Sequence, residues 1–106
     1  MYSIDITVYA EQDMQKAAEY IATALHNQTA AEQLLDDTEK AIFSLEEMPL
    51  RFPLVADEVL ASLGFRFIPV HNYLVFYIVR EDKNTVVIER FLYGRRDWIS
   101  ILSNKP

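Results

Sequence analysis

Hydrophobic and polar side chains alternate at the start of the chain. The apolar positions are Tyr2, Ile4, Ile6 and Val8, and polar residues separate them. A period of two is typical of a strand with one buried face. The alternation predicts a strand over residues 2–8, and it leaves the partner of this strand in the sheet open.

The next segment carries one apolar stripe with spacings of three and four residues, which indicates an amphipathic helix. The stripe consists of Ala10, Met14, Ala17, Ala18, Ile21 and Leu25. Thr7 or a neighbouring residue is the predicted N-cap, and acidic residues near the start suit the positive end of the helix dipole. We expect the helix to end at residues 26–28, with Asn27 in the left-handed conformation.

A second helix is predicted from Thr29. Thr29 and Glu32 have the spacing of a capping box. One face of this helix carries Ala31, Leu34, Leu35, Thr38, Ala41, Ile42 and Leu45. Pro49 marks its end, because the residue before a proline avoids the helical conformation. Since about three residues join the two helices, we expect them to lie antiparallel.

The second half of the chain predicts a meander of three strands. The strands cover residues 65–70, 73–80 and 85–93. Short turns at residues 71–72 and 81–84 join them. The central strand is apolar or aromatic throughout residues 73–79, which is typical of a strand that is covered on both faces.

The predicted order of elements is β-α-α-β-β-β, which belongs to the α+β class. We expect an antiparallel helical hairpin on one face of a small, mainly antiparallel sheet, with residues 48–63 as a connector that packs on the body. A length of 106 residues fits one domain over residues 1–106.

The composition of the chain bears on its cellular compartment and on contact with membranes. No apolar run approaches the roughly 20 residues of a membrane-spanning helix, and no secretory signal pattern is present. The chain has no cysteine, which excludes disulfides and thiolate chemistry. These features lead us to expect a cytoplasmic protein that does not contact membranes.

Charge is distributed unevenly along the chain. Residues 1–60 carry twelve acids and three bases, a net charge of −9, whereas residues 61–106 carry four acids and seven bases, a net charge of +3. An acidic first half argues against nucleic acid covering the whole surface, because that affinity comes from neutralising phosphates. The second half still offers a local positive face.

Two arginines stand out on the predicted strands. Arg66 is expected on the sheet face away from the helices, where it either is a solvated structural residue or meets a phosphate or a protein partner. Arg90 is expected on the same face as Val86, Ile88 and Leu92. A buried arginine requires a partner, so Arg90 either forms a salt bridge or faces a binding partner.

Aromatic and basic residues gather after the third strand: Tyr93, Arg95, Arg96 and Trp98. Gly94 permits a sharp change of direction there. Arginine beside aromatics is enriched at binding hot spots and suits phosphate contact or base stacking. In the structural alternative, Asp97 caps a short helix over residues 98–102, Trp98 fills the core and the arginines are solvated.

The remaining chemistry is sparse. His26 and His71 lie on separate elements without a third ligand, so no metal site is expected. The chain has no Ser-His-Asp arrangement and no HExxH motif, and its two glycines exclude a nucleotide-cradling loop. We expect no cofactor, and His71 is interpreted as a turn residue.

Three motifs, in this order and spacing, carry a family resemblance. They are Pro49-x-Arg51-x-Pro53, the run over residues 72–77 (NYLVFY) and the run over residues 93–98 (YGRRDW). Over its whole length the chain resembles the RelE/ParE superfamily of toxins from bacterial type II toxin–antitoxin modules. The resemblance implies the same α+β fold and a growth-inhibiting toxin.

The resemblance also implies a cognate antitoxin, whose C-terminal segment wraps the toxin as a helix and an extended strand. Apolar grooves of the helical hairpin are suitable receivers for such a segment. The candidate antitoxin contacts are Ala17, Ile21, Leu25, Leu34 and Thr38. The candidate target contacts are Arg66, Arg90, Tyr93, Arg95, Arg96 and Trp98.

Two branches of the superfamily differ in target. RelE-like members cleave mRNA in the ribosome with clustered basic residues, and Arg66 and Arg95 match two of those positions. Leu74, however, stands where that pattern has a basic residue, and residues 99–102 replace its C-terminal tyrosine. ParE-like members poison DNA gyrase. The resemblance therefore favours the ParE-like branch, with an mRNA endoribonuclease or a non-toxic antitoxin-binding relic as alternatives.

Overall fold

The computed structural model describes residues 1–104. Four strands and four α-helices follow in the order β1 (Ser3–Ile6), α1 (Val8–Thr23), α2 (Gln28–Ser44), α3 (Glu58–Ser62), β2 (Arg66–Val70), β3 (Tyr73–Arg80), β4 (Thr85–Tyr93) and α4 (Trp98–Ser103). Single 3₁₀ turns lie at Pro49–Arg51 and Glu81–Lys83. The predicted α+β order is confirmed. No helix within residues 1–104 has both the length and the apolar character needed to cross a bilayer.

The four strands form one sheet in the order β1-β4-β3-β2. The meander pairs antiparallel, whereas β1 joins β4 in parallel. The α1–α2 hairpin and the connector carry the chain across the sheet from β1 at one edge to β2 at the other, and the meander then returns to place β4 beside β1. This identifies the partner of the first strand, which the alternation of side chains had left open.

The first strand is shorter than predicted because a helix cap interrupts it. The hydroxyl of Thr7 accepts the N–H of Ala10 at 3.1 Å, so α1 already begins at Val8. The same hydroxyl donates to the carbonyl of Glu89 at 3.0 Å, which fixes the start of α1 against β4. Thr7 is the N-cap that the sequence predicted.

The second helix begins two residues earlier than the capping box indicated. The side chain of Asn27 accepts the N–H of Ala30 at 3.0 Å, and α2 starts at Gln28. Asn27 therefore caps α2 and has a φ of −133°, while His26 takes the left-handed conformation at φ 50°. The capping box at Thr29 and the left-handed Asn27 were both wrong predictions.

Both faces of the sheet are covered. The α1–α2 hairpin packs on one face over a core that includes Leu34, Ile42, Ile68, Val75, Tyr77 and Ile88. The short helices α3 and α4 cover the other face over Leu60, Phe65, Phe76, Leu92 and Leu102. The hairpin lies on one face as predicted, and the connector and the C-terminal residues bury the opposite face.

A β-bulge in β4 changes which face of the sheet the side chains after it point to. Phe76 pairs with Arg90 but Tyr77 pairs with Ile88, so Glu89 is an extra residue in β4. Ile88 consequently packs under the helical hairpin, whereas Leu92 packs in the opposite core. The prediction that Arg90 shares one face with Val86, Ile88 and Leu92 was wrong for this reason.

Candidate functional site

An open groove lies between the C-terminal half of α1 and the ends of β3 and β4. Its volume is about 720 Å³, and we call it the tyrosine groove. Its apolar lining consists of Ala17, Ile21, Leu25, Phe91 and Leu92. Its polar lining consists of Asp13, Lys16, Tyr20, Asn72, Tyr73, Tyr93 and Arg96. An apolar groove with a few convergent polar groups is the usual form of a binding site.

The three tyrosines form the aromatic wall of this groove. The ring of Tyr73 stacks on Phe91 with centroids 4.9 Å apart, and it meets Tyr93 edge to face at 5.6 Å. Burial raises the pKa of the Tyr73 phenol, and the neighbouring Tyr93 and Tyr20 raise it further. Tyr20 and Tyr93 are 57% and 38% exposed, so their rings are accessible to a partner.

Asp13, the acid in the groove wall, is already engaged by β4. Its carboxylate accepts two hydrogen bonds from Arg90, at 2.7 and 2.9 Å, and a third from the N–H of Phe91 at 3.0 Å. The pairing of β1 with β4 ends at Ile88, so β1 offers no carbonyl to the N–H of Phe91. The Asp13 carboxylate accepts this N–H instead. The hydrogen bond with Asp13 also raises the pKa of Arg90. The structure therefore shows Arg90 in a salt bridge.

Arg66 is not on the sheet face away from the helices. Along β2 it shares a face with Ile68 and Val70, which pack under the helical hairpin. Its guanidinium donates to the carbonyl oxygen of Phe52 at 2.6 Å, next to the isolated bridge between Leu54 and Arg66. The predicted placement was wrong. The connector folds back along β2, and its backbone carbonyls accept hydrogen bonds from the Arg66 guanidinium.

The residues after β4 divide into structural and exposed groups. The carboxylate of Asp97 accepts the N–H of Ser100 at 3.3 Å and caps α4, and Trp98 packs against Phe76 with centroids 5.2 Å apart. Arg95 and Arg96 are exposed, and within residues 1–104 neither guanidinium forms an ion pair. Trp98 is thus part of the core, while the two arginines remain accessible.

Arg66 and Arg95 do not meet in one site. Arg66 lies opposite Tyr77, whereas Arg95 follows Tyr93, which lies opposite Tyr73 at the other end of β3. Tyr73 and Tyr77 are four residues apart on β3, which corresponds to about 13 Å along the strand. In addition, β3 lies between β2, which carries Arg66, and β4, which precedes Arg95. The backbones of the two arginines therefore lie at different levels of the sheet and on different strands.

The candidate antitoxin contacts also divide. Ala17, Ile21 and Leu25 line the tyrosine groove. Leu34 and Thr38 are 1% and 0% exposed, and the Thr38 hydroxyl donates to the Leu34 carbonyl at 2.7 Å. Both belong to the interior, so the expectation of direct contact with a partner is corrected for these two residues.

A second groove runs between α1 and α2, with a volume of about 500 Å³. We call it the hairpin groove. Its lining consists of Ile6, Glu11, Met14, Gln15, Leu35, Glu39, Ile42 and Phe43. Leu35 and Phe43 are 39% and 46% exposed. Phe43 was missed by the sequence analysis, although an aromatic residue outside the apolar stripe of α2 was a signal for it.

His71 is a turn residue, as expected. It takes a φ of 55° between β2 and β3, and its Nε2 lies 2.7 Å from the carboxylate of Asp37 on α2. This hydrogen bond lowers the pKa of Asp37. Within residues 1–104 no group of three or more His, Cys, Asp or Glu side chains is arranged to hold a metal ion.

The fold is that of the RelE/ParE class of toxins. A structure of the chromosomal ParDE toxin–antitoxin system from P. aeruginosa matches with a TM-score of 0.71 and 17% identity over 88% of this chain and 96% of that one. A sequence model of the ParE toxin of the type II toxin–antitoxin system parDE matches residues 4–98. The chain belongs to this ParE toxin family.

Two RelBE complexes share the fold with lower TM-scores. The RelBE2 toxin–antitoxin complex from Mycobacterium tuberculosis matches with a TM-score of 0.58 and 24% identity over 87% of this chain and 96% of that one. The intact E. coli RelBE complex matches with a TM-score of 0.58 and 19% identity over 91% and 100%. The comparison with curated protein sequences found no significant match.

Proposed function

We propose that this ParE-family toxin acts in the cytoplasm and inhibits growth by poisoning DNA gyrase. The observation that carries the proposal is the engagement of Arg66, one of the two arginines that match the RelE pattern. Its guanidinium donates to the connector carbonyl of Phe52 at 2.6 Å. An RNase site of the RelE type requires clustered basic residues that are free to contact one phosphate.

Two further positions argue against nuclease chemistry. Leu74, which follows Tyr73, packs in the core beneath α4 and adds no charge. Ile101 and Leu102 in α4 pack in the same core, where the nuclease pattern has its tyrosine. Tyr73 itself has a raised pKa, which opposes its ionisation as a general base. The geometry therefore favours a toxin that acts by binding.

We also propose that a cognate antitoxin neutralises the toxin through the hairpin groove. Leu35 and Phe43 expose apolar surface there, and burying such surface is the main driving force of protein association. The groove runs along two helices, which suits an amphipathic helix that packs its apolar face between them. Glu11 and Glu39 at its rim favour basic residues on the partner.

Purified toxin tests the choice of target. We expect it to inhibit the supercoiling of relaxed plasmid by gyrase, and Arg95→Ala should leave a translation extract with intact mRNA, just as the wild type does. An RNase would instead cut ribosome-bound transcripts without affecting supercoiling, and Arg95→Ala would abolish that cleavage. Cleaved transcripts together with unaffected gyrase would contradict the proposal.

A further inference from the structure

We propose that the tyrosine groove is the docking site for an acidic segment of the target protein, anchored by apolar side chains. The proposal rests on the proposed function in two respects, namely that the toxin acts by binding a protein and that the antitoxin occupies the hairpin groove. It assigns the tyrosine groove to the target, although the lining includes Ala17, Ile21 and Leu25, which the sequence analysis named as candidate antitoxin contacts.

The shape and lining of the groove suit a protein segment. Its floor of small and aliphatic side chains includes Ala17 and Ile21, and its wall presents the exposed rings of Tyr20 and Tyr93. Tyrosine and arginine are the residues most enriched where a few side chains carry the affinity of an interface. An apolar anchor of the partner would be buried between Ile21 and the tyrosine rings.

The charge of the groove selects an acidic partner. Lys16 and Arg96 line it from opposite sides, one on α1 and the other after β4. Asp13, the acid in the lining, is neutralised by Arg90 at 2.7 Å. The groove is thus positive on a chain whose net charge is −6. Complementary charge steers association and excludes unsuitable partners.

The hairpin groove on the other side of α1 has the opposite charge. Glu11 and Glu39 line it, and its lining contains no basic residue. A segment that matches one groove is repelled by the other, so the two grooves fit two different partners. With the antitoxin proposed for the hairpin groove, the tyrosine groove is left for the target.

Nucleic acid fits the tyrosine groove less well than a protein. Binding to a phosphate backbone draws on a row of cations along the groove. Only Lys16 and Arg96 supply positive charge to this lining, and most of its remaining members are apolar or phenolic.

Charge reversal in the groove tests the proposal. The variants are the double substitution Lys16→Glu with Arg96→Glu, the conservative Arg96→Lys, and Lys83→Glu as matched control. Lys83 is exposed at the opposite end of the β3–β4 hairpin from Tyr93. The readouts are growth arrest after induction with and without the co-expressed antitoxin, and the toxin concentration that half-inhibits gyrase supercoiling. Binding to plasmid DNA alone is measured as well, and the thermal midpoint checks folding.

We expect the double variant to fold and to need at least about tenfold more toxin for half-inhibition, because two attractions become repulsions. Lys83→Glu should stay within about threefold of the wild type, since it leaves the charge of the groove unchanged. Arg96→Lys keeps the charge but not the guanidinium, so its loss should be smaller than that of the double variant. Tyr20→Ser, at an exposed ring, should cost at least about fivefold without any change of charge.

The outcomes separate this proposal from the gyrase target. A folded double variant that arrests growth like the wild type would overturn the groove assignment, and so would undiminished toxicity combined with lost neutralisation by the antitoxin. Binding of the wild type to plasmid DNA alone, lost in the double variant, would assign the groove to nucleic acid and also overturn it. If the wild type arrests growth without inhibiting gyrase, the gyrase target fails, and the growth readout still decides the groove.

Discussion

At the scale of single residues, two polar side chains on the strands hold the connector in place. The buried phenol of Tyr77 donates to the carbonyl of Pro49 at 2.7 Å, and Arg66 donates to the carbonyl of Phe52 at 2.6 Å. Backbone carbonyls in an irregular segment need such donors when they approach the core. The arginine that looked most like a functional group therefore has a structural role.

Removal of the Tyr77 hydroxyl should destabilise the protein. Tyr77→Phe leaves the buried Pro49 carbonyl without its donor, so we expect unfolding free energy to fall by about 1–2 kcal/mol in urea denaturation at pH 7. Tyr93→Phe is the matched control. Within residues 1–104 its hydroxyl makes no hydrogen bond, and its loss should cost less than about 0.5 kcal/mol. Equal effects of the two substitutions would contradict this role of Tyr77.

The same phenol makes stability depend on alkaline pH. Burial raises the pKa of Tyr77 from 10.0 to about 12. A raised pKa means that the folded state holds the proton more tightly, so the contribution is complete below pH 10 and is lost as pH rises towards 12. We expect the unfolding free energy of the wild type to fall more steeply over this range than that of Tyr77→Phe. Parallel curves would refute the assignment.

Asp13 joins α1 to the end of β4, and its loss should be costly. Asp13→Ala leaves Arg90 and the N–H of Phe91 without their acceptor, and we expect about 2–4 kcal/mol of destabilisation. A double-mutant cycle with Arg90→Met should give a coupling energy of about 1–3 kcal/mol. Asp36→Ala, at an exposed position on α2, is the control. Strictly additive effects would show that the pair does not act as a unit.

At the scale of elements, sequence periodicity predicted the strands and helices better than their ends. The alternation of β1 and the stripes of α1 and α2 arise from burial of one face, which is a property of the whole segment. A helix end depends on which side chain captures a free N–H, and Asn27 and Thr29 are both capable of that. Local sequence does not decide between such neighbours, and the choice follows from how the chain leaves α1.

Alanine substitutions separate the two candidate caps. Asn27→Ala should destabilise the protein by about 1 kcal/mol, because the N–H of Ala30 loses its acceptor. Thr29→Ala should be near neutral, since Thr29 lies inside the first turn of α2. Thermal unfolding followed by circular dichroism measures both. The reverse order of effects would restore the capping box at Thr29.

No pattern in the sequence indicated the bulge at Glu89. The bulge determines which face of the sheet each residue after it occupies, and so which side chains come into contact. It moves Leu92 to the opposite core and brings Arg90 to Asp13. The placement of Arg66 failed for a related reason, since it depends on a connector whose path no periodicity describes. By contrast, the exposure of Arg95 and Arg96 followed from their position after a strand end, and their accessibility was predictable.

At the scale of the whole molecule, the uneven charge of the chain becomes two grooves of opposite sign on either side of α1. The acidic first half supplies Glu11 and Glu39 to the hairpin groove, and the basic second half supplies Arg96 to the tyrosine groove. Folding thus converts a charge difference along the chain into two surfaces of opposite charge.

The choice of target is the central claim, and one culture tests it. The toxin is expressed without antitoxin, and plasmid supercoiling and transcript integrity are measured in the same cells over time. Poisoning of gyrase predicts relaxed plasmid and a DNA-damage response before any transcript is cut. Transcripts cleaved at ribosomal A sites while the plasmid remains supercoiled would contradict the account.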